Sequence, residues 1–285
     1  MFSMANVLSA ADRIAVVSAL VEGNSLRSTA RMTGVARNTV SKLLVDLGRA
    51  CGAFQHERLR GITCKRIQTD EIWSYIGSKA RNVRPEKRGE WGDCWTWTAI
   101  DRDTKLVVTF LVGPRNQGAA FEFMEDLAER IVGTFQLTTD GLNLYPAAVE
   151  HALGGRVNYA QLVKQYAHEP EREGERRYSP AVCLGAERVV VSGRPDPKHI
   201  STSHVERQNL TMRMSMRRYT RLTNAFSKKE ENHWAATSLH FAYYNWCRIH
   251  GTTRITPAMA AGLAHHPWSV ADLVALLDGP ANPVS

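Results

Sequence analysis

The sequence predicts a mixed α/β domain preceded by a small all-helical domain. Apolar residues recur at helical spacing through residues 1–48, whereas β-rich and helical segments alternate over residues 66–163. A chain of 285 residues is long enough for one large catalytic domain with smaller appendages. Together these observations place the fold in the α/β class.

Three helices are predicted in residues 1–48. Ser9 followed three residues later by Asp12 is a capping-box start for the first helix. Ser25 can cap a second helix that runs to about Met32. We therefore expect a separate helical domain over residues 1–48.

The second and third predicted helices have the spacing of a helix-turn-helix. Ala30 is small enough to let the two helices approach, and Gly34 permits the sharp turn between them. The third helix is expected over residues 37–47, with Gly48 ending it. Its outer face carries side chains that can contact bases or phosphates: Arg37, Asn38, Thr39, Ser41 and Lys42. This chemistry favours DNA binding over a helix pair that only packs on a neighbour.

The α/β domain is expected over residues 66–228, after a linker at residues 49–65. Five strands and two intervening helices are predicted, with the strands at 66–76, 94–101, 105–112, 134–139 and 157–163 and the helices at 118–131 and 144–149. Asp101 and Asp103 lie between the second and third strands, and we interpret them as hairpin residues rather than catalytic groups.

An insertion and a helical region complete the predicted organisation. The insertion covers about residues 164–200, begins with a Glu- and Arg-rich segment, and contains a strand candidate at residues 182–191. Residues 229–285 are expected to be helical, with a long aromatic-rich helix at 230–248 and a short one at 270–277.

The composition favours a polyanionic partner and a reducing compartment. The net charge is +8, which suits a protein that places Lys and Arg on phosphates. No basic leader followed by an apolar run, and no apolar stretch long enough for a membrane span, is present. Five scattered cysteines argue against a disulfide framework or a zinc ribbon: Cys51, Cys64, Cys94, Cys183 and Cys247. We expect a soluble, cytoplasmic and nucleoid-associated protein without membrane contact.

Three carboxylates are candidates for a metal-dependent site. Asp70 lies inside a predicted strand, where a charge is costly unless it is paired or binds a metal. Asp140 follows a strand end, and Glu206 begins a basic helix. Such hard oxygen ligands could hold two divalent cations that act on a phosphodiester bond. Glu71 is the rival to Asp70, because neighbouring strand residues point to opposite faces and only one is expected to face the site.

The segment after Glu206 is basic and lacks acidic residues as far as Lys229. Arg213, Arg217 and Arg221 recur every four positions, so we predict one stripe on the helix that begins at Glu206. Together with Arg207, this stripe would hold a DNA backbone beside the metal site. His204 is expected on another face of that helix, with at most a nearby polar role.

These motifs resemble those of the DDE transposases, and in particular the insertion sequence one family. The similar segments are residues 69–75 (Thr-Asp-Glu-Ile-Trp-Ser-Tyr), 139–141 (Thr-Asp-Gly), 204–211 (His-Val-Glu-Arg-Gln-Asn-Leu-Thr), 212–229, 244–250 and 256–261. Members of that family often carry an N-terminal cysteine-rich zinc element. No paired cysteines precede the helix-turn-helix in this chain, so recognition of DNA ends would depend more heavily on residues 25–47.

The resemblance implies a ribonuclease H-like catalytic domain with a mixed five-stranded sheet flanked by helices. It favours Asp70 over Glu71, and it implies that Asp70, Asp140 and Glu206 are both catalytic residues and ligands of two Mg²⁺ or Mn²⁺ ions. The expected reaction is cleavage at the 3′ ends of an insertion sequence followed by strand transfer. The expected partners are double-stranded DNA, as transposon ends and as target, and further copies of the chain. Two alternatives stay open: a non-catalytic DNA-binding regulator or transposase remnant, and a plain nuclease of the same fold.

Overall fold

The computed structural model describes residues 8–166, 183–220 and 223–279. The strands are β1 (Ile62–Thr63), β2 (Arg66–Ile76), β3 (Gly92–Asp101), β4 (Val107–Gly113), β5 (Ile131–Val132), β6 (Phe135–Asp140), β7 (Val157–Tyr166) and β8 (Cys183–Ser192). The helices are α1 (Ala10–Val21), α2 (Leu26–Thr33), α3 (Arg37–Arg58), α4 (Gln117–Arg130), α5 (Tyr145–Ala152), α6 (Ser203–Ser215), α7 (Glu230–Ala242), α8 (Pro257–Ala260) and α9 (Val270–Ala275). A π-helical turn, Tyr243–Cys247, continues α7.

A mixed sheet with the strand order β4-β3-β2-β6-β7-β8 forms the centre of the fold. The first three strands in this order pair antiparallel, β6 and β7 run parallel to β2, and β8 is antiparallel to β7. The expectation of a mixed α/β fold is thereby confirmed. The expectation of five strands is wrong, because this sheet has six in the described part of the chain.

The sixth strand comes from the segment predicted as an insertion. β7 continues to Tyr166 instead of ending near residue 163, and β8 pairs with it from Tyr159↔Ser192 to Tyr166↔Cys183. The added strand satisfies backbone groups along an edge of β7 that would otherwise be exposed. The Glu- and Arg-rich segment of the predicted insertion lies outside the described residues.

Helices cover both faces of the sheet, and the alternation of β2 shows which helices lie on each face. Gln68 accepts hydrogen bonds from the backbone of α6, and Ser74 lies 3.0 Å from an imidazole nitrogen of His233 on α7. On the other face, Glu71 accepts a hydrogen bond from Tyr145 at the start of α5. Trp97 of β3 packs there against Phe123 of α4. Even-numbered residues of β2 thus face α6 and α7, and odd-numbered residues face α4 and α5.

The predicted starts of the first two helices are confirmed. The Ser9 hydroxyl accepts the backbone N–H of Asp12 at 3.1 Å, and the Ser25 hydroxyl accepts that of Ser28 at 3.1 Å. Gly34, with φ of 73°, ends α2 in the left-handed conformation that glycine adopts without strain. The helix-turn-helix spacing in the sequence is therefore matched by two helices joined at the expected turn.

The third helix does not end at Gly48 but continues to Arg58, so it occupies much of the predicted linker at 49–65. Gly48 is a contact residue rather than a stop: a Cβ added there would lie 2.3 Å from the carbonyl oxygen of Ala235 on α7. Close approach of two helices needs a small residue at the crossing, and glycine provides it. A glycine in the sequence is compatible with a helix end and with a close helix contact, so the sequence alone did not distinguish the two roles.

Helices α1 and α3 pack against the C-terminal helices. Their buried apolar residues belong to the same core as those of α7 and α9. Ion pairs join the two regions at Arg13–Asp278 (3.3 Å) and at Arg49–Glu231. Within the described ranges, no helix is long and apolar enough to cross a bilayer.

Candidate metal centre

The candidate site opens where two parallel strands separate. The last residue pair of β2 and β6 is Thr69↔Thr139, and the next residues along the two strands are Asp70 and Asp140. Neighbouring parallel strands run in register, so these two side chains leave the sheet close together. A cleft of about 390 Å³ lies there, and its walls include Asp70, Asp140 and Glu206.

A cluster of three carboxylates lies at this point, and it is not the expected trio. Oxygens of Asp70, Glu71 and Asp140 all lie within 4.8 Å of one another. Both Asp70 and Glu71 have a carboxylate oxygen close to Asp140, but of these two residues only Asp70 lines the cleft. The two side chains leave β2 on opposite faces, but β6 ends at Asp140, so both carboxylates can lie beside it.

Asp70 is held by the sheet and by helix α6. Its Oδ1 accepts the backbone N–H of Glu71 at 2.9 Å, and its Oδ2 accepts the side-chain amide of Asn209 at 2.8 Å. The first turn of α6 is anchored beside β2 because Gln68 Oε1 accepts the backbone N–H of His204 at 2.8 Å. Burial, and then the charge of Asp140, raise the pKa of Asp70 to about 7.

Glu71 is held on the opposite face by a cation and a phenol. Arg115 Nε donates to one carboxylate oxygen at 3.1 Å, and the Tyr145 hydroxyl donates to the other. The Arg115 guanidinium also lies 4.7 Å from the ring centre of Trp95. Burial, and then the charge of Asp140, raise the pKa of Glu71 to about 8. Both oxygens of Glu71 are thus engaged by protein groups.

Glu206 lines the same cleft but is not part of the tight cluster. Its Oε1 lies 2.5 Å from Nζ of Lys164 and accepts a hydrogen bond from Thr202. Burial lowers the pKa of Lys164, but the Glu206 carboxylate outweighs this effect, so that the pKa is raised overall. Lys164 therefore stays charged and positions Glu206 at the wall of the cleft.

The electrostatics of the cleft favour a bound cation. Burial raises the pKa of Asp140, although the backbone N–H of Leu142 donates to its Oδ1 at 3.0 Å. Burial raises the pKa values of Asp70 and Glu71 as well, and the nearby charge of Asp140 adds to the effect. A divalent ion would remove this penalty, and carboxylate oxygens are the ligands that Mg²⁺ and Mn²⁺ prefer. The donor set therefore fits such an ion.

The predicted DNA-contacting residues of α3 lie at its N-terminal end. Arg37 and Asn38 are exposed, whereas Thr39 is half-buried. Lys42 is exposed and pairs with Asp46 one turn later, with 2.9 Å between Nζ and Oδ2. An exposed pair of this kind contributes little to stability, so Lys42 can exchange its partner for a phosphate at small cost.

The predicted arginine stripe on α6 is wrong. α6 ends at Ser215, and Met216 is extended, with φ of −129° and ψ of 109°. Arg213 is therefore on the helix, but the exposed Arg217 follows it. Arg221 lies outside the described residues, and Arg207 is exposed on the first half of α6.

Tyr219 explains the early end of α6. Its buried hydroxyl lies 2.6 Å from Thr96 Oγ1 on β3 and 2.9 Å from Thr237 Oγ1 on α7. Insertion of this side chain between sheet and helix requires the backbone to turn inward at Met216. The regular spacing of the arginines in the sequence does not indicate that Tyr219 packs between the sheet and α7.

Asp101 and Asp103 have the structural role expected of them. Asp101 accepts hydrogen bonds from the backbone N–H of Asp103 at 3.1 Å and from the Thr104 hydroxyl at 2.6 Å, as a turn residue does. Asp103 pairs with Arg66, with 2.6 Å between Oδ1 and Nη2. Neither aspartate lines the cleft.

Three residues of the site were missed in the sequence. Asn209 follows Glu206 by three positions, so helical spacing could have placed both near Asp70. Lys164 lies two residues beyond Leu162, the pairing partner of Asp140, and period-two alternation along β7 could have identified it. Arg115 reaches Glu71 across two strand pairings, and no local pattern indicates it.

Comparison with known proteins finds a distant sequence relative and several solved structures with some similarity. No family model matches the chain. The chain is 25% identical over 170 residues to the insertion element iso-IS1n protein InsB of Shigella dysenteriae, and the alignment covers 58% of this chain and 86% of that protein. A piggyBac transposase synaptic complex with hairpin DNA superposes with a TM-score of 0.42 and 11% identity, over 97% of this chain and 73% of that chain. This superposition is too loose to establish a shared fold.

Proposed function

We propose that the chain is an insertion-sequence DNA transposase of the DDE type, in which Asp70, Asp140 and Glu206 are catalytic. The observation that carries the proposal is the cleft between β2, β6 and α6, in which all three carboxylates are wall residues. The sequence likeness to an insertion-element protein, although distant, supports the same conclusion.

Asp70 is favoured over Glu71 as the ligand because of the bonds that each makes. The carboxylate of Glu71 is occupied by Arg115 and Tyr145, and its side chain is fully buried. Asp70 lines the cleft, and a single side-chain donor, Asn209, contacts it among the described residues. Glu71 is therefore a positioning residue beneath the site.

The proposed metal ligands are Asp70, Asp140 and Glu206, which would hold two Mg²⁺ or Mn²⁺ ions. When bound, the ions supply activation of a water or a 3′-hydroxyl and stabilisation of the leaving oxygen at phosphorus. Asn209 and the backbone of Glu71 orient Asp70 for this role. Lys164 orients Glu206 and brings a positive charge to the wall along which a scissile phosphate would lie.

The proposal includes the fold, the DNA contacts and the assembly. A mixed sheet with helices on both faces supports a ribonuclease H-like catalytic domain. Arg37, Asn38, Thr39 and Lys42 would recognise the transposon ends, with residues 1–48 as the DNA-reading unit. Arg207, Arg213, Arg217 and Arg221 would bind the DNA backbone. Two ends and a target are joined in one reaction, so we propose a homo-oligomer on DNA.

A donor-plasmid transposition assay with purified protein and Mg²⁺ tests the proposal. Asp70→Asn, Asp140→Asn and Glu206→Gln should each abolish end cleavage and strand joining, while binding to the ends is retained. The matched control is Glu122→Gln on the exposed surface of α4, which should transpose like the wild type. Transposition by the three variants would disprove the catalytic assignment.

The same assay separates the two alternatives. Cleavage without joining by the wild type would indicate a nuclease of this fold. End binding without either reaction would indicate a regulator or a remnant. A gel-shift experiment with Arg37→Ala and Lys42→Ala checks the recognition helix, since both variants should weaken end binding.

A further inference from the structure

A second cavity lies on the other side of α6 from the carboxylate cleft. It has a volume of about 530 Å³ and is enclosed by the start of α6, the end of β3 and the loop after the π-helical turn. Five basic side chains lie in its wall: Lys105, His204, Arg207, Arg248 and His250. No carboxylate lines it among the described residues. We call it the basic pocket.

Two cations of the basic pocket, Arg207 and Arg248, are exposed and available to a ligand. No hydrogen bond or ion pair joins the guanidinium groups of Arg207 and Arg248 to any group within residues 8–166, 183–220 and 223–279. The Lys105 ammonium donates to the backbone carbonyl of Arg102, which fixes its position. Burial, and then the charges of Lys105, Arg248 and Arg207, lower the pKa of His250. Three positive charges therefore converge on this cavity.

A buried donor in the wall also lacks an acceptor. Gln208 is 2% exposed, and its amide nitrogen has no hydrogen-bond partner in the described structure. Buried donors in folded proteins nearly always have an acceptor, so a ligand of the pocket is the candidate acceptor for this group. Beside two unpaired arginines, the missing acceptor is expected to be anionic.

We propose that the basic pocket binds the phosphodiester backbone of DNA, as a site separate from the recognition helix and the carboxylate cleft. Lys105, Gln208 and Arg248 are its new members, beside Arg207. Glu206 lines the carboxylate cleft, and the next residue, Arg207, lines the basic pocket. A DNA strand bound in the pocket would therefore cross α6 and then pass the carboxylates. Backbone contacts of this kind set the register of DNA without reading its sequence. The choice of DNA as the polyanion rests on the proposed function.

Salt dependence of binding tests this site. The full chain is titrated into a fluorescent duplex of arbitrary sequence between about 50 and 200 mM KCl, and the slope of log Kobs against log salt is measured. The double variant Arg207→Gln/Arg248→Gln should reduce the magnitude of the slope by about 2 and weaken binding on the order of tenfold. Arg207→Lys/Arg248→Lys keeps both charges and should restore most of the slope.

The control removes the same charge elsewhere. Arg84 and Arg88 are exposed between β2 and β3, and Arg84→Gln/Arg88→Gln should leave the slope near the wild-type value. An equal loss in the control would mean that only net charge matters, and would overturn the proposal. If the glutamine pair unfolds in a thermal melt, Thr252→Glu tests the pocket instead, because it puts a negative charge at an exposed wall residue. Unchanged binding by Thr252→Glu would also overturn the proposal.

The remaining outcomes are also decisive. Inorganic phosphate alone is titrated into the protein by calorimetry. If phosphate binds tightly while Arg207→Gln/Arg248→Gln leaves the salt dependence of duplex binding unchanged, the pocket is a site for small anions and the proposal is overturned. A wild-type chain that binds no duplex would defeat the proposed function itself. A wild type that binds and transposes, with the same slope in the glutamine pair, would defeat only the present inference.

Discussion

Asp70 and Glu71 are adjacent in the chain and have different surroundings in the structure. The Asp70 carboxylate receives an amide N–H from Asn209 and lines the cleft, whereas the Glu71 carboxylate receives Arg115 and Tyr145 on the other face of the sheet. These two neighbouring carboxylates therefore differ in their ability to bind a ligand. The difference comes from which neighbours already occupy the oxygens.

We expect Asp70→Asn to abolish strand transfer and Glu71→Gln to retain a measurable fraction of it. Asparagine removes a charged ligand, whereas glutamine keeps an acceptor for Tyr145 and loses only the ionic part of the Arg115 contact. The measurement is single-turnover joining of a labelled end to target DNA with Mg²⁺. Complete loss in Glu71→Gln, with an unchanged melting temperature, would mean that Glu71 is itself a ligand.

His233 is a buried imidazole whose neutral form is fixed by its partners. Ser74 donates to the carbonyl of Cys94 at 3.0 Å, so its oxygen accepts from Nε2 of His233, also at 3.0 Å. Ser227 accepts from Arg218 at 2.8 Å and is 3.1 Å from Nδ1, to which its own hydrogen can be donated. A second proton on the ring would remove the hydrogen bond that Ser227 donates to Nδ1. Burial, and then the charge of Arg218, lower the pKa of His233 to about 3.

This pKa makes His233 a source of acid sensitivity. The unshifted value is 6.5, so the folded state binds this proton less readily than the unfolded state and loses stability as the pH falls from about 6.5 towards 3. We expect His233→Gln to be less stable than wild type at neutral pH but to lose less stability between neutral pH and about pH 4. Thermal melts in that range are the check. His265→Gln, at an exposed position, is the control and should follow the wild type; equal pH slopes in His233→Gln and wild type would contradict the assignment.

At the scale of the element, α3 shows how a helix can pass through a glycine that the sequence marks as its end. Gly48 and Gly52 are one turn apart on the face that meets α7, and a Cβ at either would lie within 2.5 Å of an atom of Ala235 or Trp234. Two glycines spaced by four residues form a groove for the neighbouring helix. Periodicity within α3 alone cannot distinguish this groove from a helix terminus.

We expect Gly48→Ala to destabilise the fold by about 2 kcal/mol or more, even though alanine favours helices. The clash involves the backbone carbonyl of Ala235, which cannot move without shifting α7. The free energy of unfolding in urea measures the effect. Gly155→Ala, where a Cβ meets nothing within 4 Å, is the matched control and should change stability by less than about 1 kcal/mol. Equal effects of the two substitutions would count against the close packing of α3 and α7.

Local signals predicted the elements that local chemistry controls. The caps at Ser9 and Ser25 and the turn of Asp101 depend on hydrogen bonds within a few residues, and all three are present. Elements that depend on distant contacts were misjudged. The end of α6 is set by Tyr219. The strand predicted at residues 182–191 is present as β8, but its pairing with β7 in the central sheet was not expected.

The same division applies to the candidate site. The motifs around Asp70 and Asp140 lie at strand positions that the sequence could identify, and the structure brings these two carboxylates together. The ion pair that holds Glu206 could not be read from its own helix, because Lys164 is supplied by β7. The basic pocket is assembled from three distant segments, so no single motif indicates it.

At the scale of the whole molecule, the basic chain carries a concentrated negative charge in one cleft. A protein with a net charge of +8 repels cations on average, so binding of a divalent ion must come from the local carboxylates. Stability and metal binding should therefore be linked.

We expect Mg²⁺ or Mn²⁺ to raise the melting temperature of the wild type. At a concentration 100 times the dissociation constant the gain is about 2.7 kcal/mol, which corresponds to several degrees for a chain of this size. The Asp70→Asn/Asp140→Asn variant should gain much less. Differential scanning fluorimetry in EDTA and in metal, at matched ionic strength, provides the measurement. An equal gain in wild type and variant would place the ion elsewhere.

The unbroken course of α3 has a mechanical consequence. The candidate base-reading residues occupy the start of α3, and later turns of the same helix pack closely against α7, so the start of α3 is rigidly connected to the central sheet and its helices. Each inserted residue would rotate that end by about 100° and advance it by about 1.5 Å. Under the proposed function, the length of α3 would set the number of base pairs between the recognised sequence and the cut. Insertion of one residue after Lys42 should then shift or abolish the cut position, although none of the proposed DNA-contacting residues is changed.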